Sequence, residues 1–117
     1  MFYKVVTMIE TRLGEFEEII LLLVGILKED AYAFRIAEEF ESQTKRAVSI
    51  GAVHSSLVRL EKKGFLRSSM ASGSNERGRR RKRVFTITAY GKKALEEARD
   101  LRVSMWKQYP AFANKLN

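Results

Sequence analysis

The sequence predicts a mainly α fold with one small β-hairpin, and three observations predict it. Four stretches space apolar residues at helical intervals. Two short segments, Phe65-Leu66-Arg67-Ser68-Ser69-Met70 and Val84-Phe85-Thr86-Ile87-Thr88, have strand character. Between them lies Arg77-Gly78-Arg79-Arg80-Arg81-Lys82-Arg83, six cations in seven residues. Like charges this dense repel one another at a hairpin tip. A polyanion turns that repulsion into binding energy by releasing its counterions.

The elements follow in order. Leu13, Phe16, Ile20, Leu23 and Leu27 mark a first helix from about Leu13 to Lys28. Ile19, Leu22 and Ile26 widen its apolar surface around most of the circumference, so it must be buried on more than one side. A second helix is expected from Asp30, as N-cap, to about Ser42, with Ala33, Ile36, Ala37 and Phe40 inward. Ser49 is a suitable N-cap for a third, whose hydroxyl accepts a bond from an early amide. Val53, Leu57 and Leu60 point inward there, and Gly64 suits a left-handed C-cap. Ala52, Ser55, Ser56 and Arg59 are read as its other face, small and polar enough for close approach to another surface. Ser69 to Gly78, rich in Ser, Gly and Asn, reads as a loop that stays mobile until bound. Thr88 can cap a fourth helix reaching Gln108, before Pro110. Ala94, Ala98, Leu101 and Met105 give that helix the narrow seam of helix-on-helix packing.

Composition narrows the function. The 117 residues suit one small domain with a modest core. The formal charge of +8 is uneven: residues 67–117 hold thirteen Lys and Arg against four Asp and Glu, while residues 1–66 hold nine against ten. A basic patch of this kind is the electrostatic footprint of nucleic-acid binding. With no Cys and one His there is no basis for a disulfide framework, a metal site or a cofactor. The absence of Cys fits a cytoplasmic protein. Ile19 to Leu27, the longest apolar stretch, is far shorter than the roughly 20 residues of a membrane span. Glu17, Glu18, Glu38, Glu39, Glu96 and Glu97 read as solvated helix faces rather than acid–base pairs, so an enzyme is not expected.

Helix, helix, short helix, basic-tipped hairpin, long helix is the order of a winged helix-turn-helix with a C-terminal dimerisation helix. The domain division is residues 1–88 for the winged helix, with 1–12 as an extension to it, and 89–117 for the dimerisation helix and tail. Met1 and Met8 both stand as candidate starts. In such a fold the third helix enters the major groove, while the wing tracks the backbone or dips into the minor groove.

The local residues go further. Leu13-Gly14-Glu15-Phe16-Glu17-Glu18, Ala31-Tyr32-Ala33-Phe34-Arg35-Ile36, the stretch from Ser49 to Leu66, and Gly78 to Arg83 leading to Ile87-Thr88-Ala89-Tyr90-Gly91 together resemble the PadR family of bacterial transcriptional regulators. The resemblance spans Leu13 to Trp106 and is to the compact class with a single helix after the wing. It implies a cytoplasmic homodimer on palindromic promoter DNA, usually a repressor, often released by a small molecule. Some members stack flat ligands on an aromatic of the last helix. Three positions depart from the family pattern: Ala33 stands where Gly is common, His54 where a Tyr typically meets phosphate, and Val84 where an aromatic is common.

The expected DNA-contact set is Tyr32, Ser49, Ala52, His54, Ser55, Ser56, Arg59, Arg77, Arg79, Arg80, Arg81 and Lys82. Ser49 is a cap that can also touch phosphate. Arg59 takes either a guanine edge or a phosphate, and His54 is either a phosphate donor or a packed polar residue. Phe16, Leu101, Arg102, Met105, Trp106 and Tyr109 form either an effector pocket, suited to a small aromatic molecule, or dimer-core packing. The alternative function is an RNA-binding or architectural protein using the same hairpin, although the third helix lacks stacking aromatics of the kind single-stranded RNA binders use.

Overall fold

The computed structural model describes residues 13–71 and 81–111. Its helices are α1 (Glu15–Leu27), α2 (Ala33–Thr44), α3 (Ile50–Lys62) and α4 (Ala89–Gln108). Strands β1 (Leu66–Met70) and β2 (Arg83–Ile87) form an antiparallel pair between α3 and α4. A 3-10 turn, Lys28–Asp30, links α1 to α2. The mainly helical fold with one hairpin is as the sequence predicts.

The core is built from all three N-terminal helices and the hairpin. Ile20, Leu21, Leu23 and Val24 of α1 meet Ile36 and Phe40 of α2, Val53, Leu57 and Leu60 of α3, and Phe65, Leu66 and Phe85. The strand register pairs Leu66 with Ile87 and Ser68 with Phe85, which places Leu66 and Phe85 in the core while Arg67 and Thr86 face out. The α1 helix is not enclosed all round: Leu22 and Ile26 remain exposed.

Two caps behave as their sequences require. The Ser49 hydroxyl accepts the Ala52 amide at 3.0 Å, and the Thr88 hydroxyl accepts the Gly91 amide at 3.0 Å. The Thr88 hydroxyl also donates to the Gly64 carbonyl at 2.7 Å, tying the start of α4 to the end of α3. Gly64 sits at φ +86°, the left-handed conformation that glycine adopts most readily.

The start of α2 differs from expectation. Asp30 belongs to the 3-10 turn, and the N-cap is Tyr32, which makes no side-chain capping bond. The cause is tertiary: the Phe85 amide donates to the Ala31 carbonyl at 2.9 Å, drawing the chain before Tyr32 alongside β2 and delaying the helix. Ser69 and Met70, read both as the end of the first strand segment and as the start of the loop, belong to β1; residues 72–80 of that loop lie outside the described residues. Among the described residues no helix is long and apolar enough to cross a membrane, and no group of three or more metal-ligating side chains assembles.

Candidate nucleic-acid interface

The third helix and the loop end of the hairpin both carry exposed cations. On α3, Ala52, His54, Ser55 and Arg59 are exposed, opposite the buried Val53, Leu57 and Leu60. Lys62, two turns beyond Ser55 on the same side and also exposed, extends this face. Ser56 does not belong to it. It is fully buried, three residues from Val53 and four from Leu60, and its hydroxyl has no hydrogen-bond partner among the described residues. The expected contact at Ser56 is therefore corrected: helical periodicity turns that side chain into the core.

At the loop end of the hairpin Arg81 and Lys82 are exposed. The Lys82 ammonium lies 4.3 Å from the centre of the Tyr32 ring, a cation–π contact joining the residue before β2 to the start of α2. Tyr32 and Lys82, both expected as contacts, are thus brought together. Arg77, Arg79 and Arg80 lie outside the described residues.

Arg59 is not held by α3 alone. Its Nε lies 3.6 Å from Glu17 Oε2 on α1. Lys63 Nζ donates to both Glu17 oxygens, at 3.0 and 3.1 Å, and the Gly14 amide donates to Oε1 at 3.2 Å. Burial raises the Glu17 carboxyl pKa, but the Lys63 and Gly14 hydrogen bonds and the nearby cationic charges outweigh it and hold the group below its ordinary value. Glu17 is thus an ion-pair hub, correcting its reading as part of a solvated face. Glu18 is similarly engaged, with Arg102 of α4, and Glu39 bonds Arg35 and Gln43. A second hub escaped sequence reasoning. Glu61, on the last turn of α3, binds Ser68 of β1 and Arg83 of β2. Its partners come from distant segments, and helical spacing carries no signal for them.

The other candidate cluster divides. Arg102, Met105, Trp106 and Tyr109 line an open cleft of about 510 Å³ on the last turns of α4. The Trp106 and Tyr109 rings meet edge to face at 5.8 Å. Leu101 is exposed but does not line the cleft. Phe16 does not line it either; its ring packs edge-on to Phe40, 5.4 Å between centroids, between α1 and α2.

The fold and the hairpin beside α3 define a winged helix-turn-helix protein. The chain belongs to the PadR-like family of transcriptional regulators, whose sequence profile matches residues 21–97. That family is one of regulators, not enzymes. Among solved structures, the hsRosR–S4 complex superimposes with a TM-score of 0.69 at 20% identity, covering 94% of this chain and 89% of that one. A PadR-like transcription factor from Bacteroides fragilis gives 0.62 at 24% identity, over 97% and 99%. Bacillus subtilis PadR in complex with operator DNA gives 0.56 at 20% identity, over 71% of this chain and 45% of that one. At these identities the likeness is one of fold. No curated protein matches the sequence.

Proposed function

We propose that this chain is a sequence-specific double-stranded DNA-binding regulator that acts as a homodimeric repressor on a palindromic operator. The observation that carries the proposal is that His54, Ser55 and Arg59 of α3 and Arg81 and Lys82 of the wing are all exposed, on two elements that Glu61 ties together through Ser68 and Arg83. An α-helix of this exposure fits a major groove, and cations beside it meet flanking phosphates. Ser49 and Ala52 lie at the start of α3 and Tyr32 at the start of α2. Membership of the PadR-like family and a relative bound to operator DNA support the reading.

The domain ending near residue 88 carries DNA contact, and the helix from 89 onward carries association. Exposed Leu101, Val103, Met105 and Trp106 on α4 and Tyr109 just after it, with Leu22 and Ile26 on α1, supply apolar surface for a second copy. The Trp106–Tyr109 cleft suits a flat aromatic effector that releases the operator. The site of action is the bacterial cytoplasm, on the nucleoid.

Selection of bound duplexes from a random pool tests the proposal. The expected product is a palindrome with half-sites about one helical turn apart. Enrichment of no sequence, or preference for RNA at equal salt, overturns it in favour of an architectural or RNA-binding protein.

A further inference from the structure

Glu61 stands out on the proposed DNA-binding face as a carboxylate beside the middle and loop end of the hairpin, where its charge opposes a polyanion. Its contacts account for its presence. Arg83 Nη2 lies 3.0 Å from Glu61 Oε1, and Arg83 Nε donates to Ser68 Oγ at 3.0 Å. Ser68 Oγ lies 3.1 and 3.0 Å from the two Glu61 oxygens, so its hydroxyl donates to the carboxylate while accepting from Arg83. One member comes from α3, one from β1 and one from β2. Arg83, the last cation of the basic run, is therefore turned back toward the recognition helix, its planar head also 5.5 Å from the Phe85 ring centre.

We infer that Glu61 is a positioning residue for the wing. Through Ser68 and Arg83 it locks both strands to α3 and sets the direction in which Arg81 and Lys82 leave the domain. Arg83 is then a structural cation and not a phosphate ligand. A guanidinium suits this place because its fork donates to two acceptors in one plane, which an ammonium does not. The inference rests on the DNA-binding proposal for its consequence, but the anchor itself is measurable without DNA.

The test uses the full chain with Glu61→Gln, Arg83→Gln and the double variant. Amide hydrogen exchange is read without DNA. Affinity for a duplex of about 30 base pairs carrying the selected palindrome is read at several salt concentrations. Faster exchange is expected in both strands for each variant. Glu61→Gln is expected to weaken binding about three- to tenfold, although it removes a negative charge beside phosphates. Arg83→Gln is expected to weaken it similarly with the salt slope unchanged, and the double variant to lose no more than the worse single one. Ser68→Ala removes only the hydroxyl and probes the same anchor if Glu61→Gln does not fold. Unchanged exchange, equal or tighter binding by Glu61→Gln, or a slope reduced by about 0.9 in Arg83→Gln would each overturn the inference. Failure of the unaltered chain to bind any duplex overturns the DNA proposal instead, and hydrogen exchange then decides the anchor alone.

Discussion

Helices α3 and α4 both carry apolar residues at helical intervals, yet these meet opposite fates. On α3, Val53, Leu57 and Leu60 are completely buried. On α4, Leu101 and Met105 are 62% and 61% exposed. The division falls within α4 itself: Gly91, Ala94 and Leu95 pack on the domain, and from Arg99 onward every described side chain is exposed. Periodicity shows which face of a helix seeks a partner. Whether that partner lies in the same chain depends on where the fold points the helix.

The sharpest way to break this contrast is to shorten one residue on each side. Leu57→Ala should cost about 3 kcal/mol of folding stability in denaturant titration, because it leaves a cavity among fixed neighbours. Leu101→Ala should change the stability of the single chain by no more than about 0.5 kcal/mol while weakening self-association in sedimentation. Equal costs at both positions would show that the α4 seam is already packed within one chain.

Gly91 marks the boundary between the two regimes. A Cβ there would meet the Phe65 carbonyl oxygen at 2.2 Å, an encounter with backbone rather than with a yielding side chain. Gly91→Ala should therefore lower stability by about 2 kcal/mol and shift α4 relative to the hairpin. Thermal melting of this variant beside Lys92→Ala, at an exposed neighbour, checks it; similar melting temperatures would place the boundary elsewhere.

Ser56 tests the buried face in the other direction. Ser56→Ala removes a hydroxyl that is buried without a partner, so a gain of about 1 kcal/mol is expected. A loss of stability would mean that the hydroxyl is satisfied in solution.

The smallest effect concerns Glu17. Its pKa is depressed in the folded state, so folding releases no benefit from it once both states are protonated. Its contribution is complete above the ordinary value of 4.5 and disappears as pH falls through the lower folded value. The stability difference between the unaltered chain and Glu17→Gln should hold from pH 7 to about 5 and shrink on further acidification. A difference that stays constant down to pH 3 argues against a charged Glu17 hub.

These contrasts also explain what the sequence made legible. Ser49 and Thr88 were readable as caps because a cap acts on an amide only three residues away. The inward set on α3 followed from spacing, and the same spacing places Ser56 inward, which its polar chemistry obscured. Asp30 misled because its local preference for an N-cap yields to a strand that arrives from residue 85. The hubs at Glu17 and Glu61 stayed hidden because their partners lie 46 and 22 residues away, at Lys63 and Arg83. No local rule joins such positions. Family resemblance predicted the overall architecture, but this pairing is a property of the assembled domain.

The seat of Gly91 against the Phe65 carbonyl has a mechanical consequence. Thr88 donates its amide to that same carbonyl at 3.1 Å and its hydroxyl to Gly64, so the start of α4 is fastened to the end of α3. A helix of 20 residues is about 30 Å long. With its fulcrum near one end, a tilt of about 10° there carries Trp106 through about 4 Å. Any tilt at this seat would be magnified at the far tip, and the Arg102–Glu18 ion pair to α1 is the described contact that opposes it.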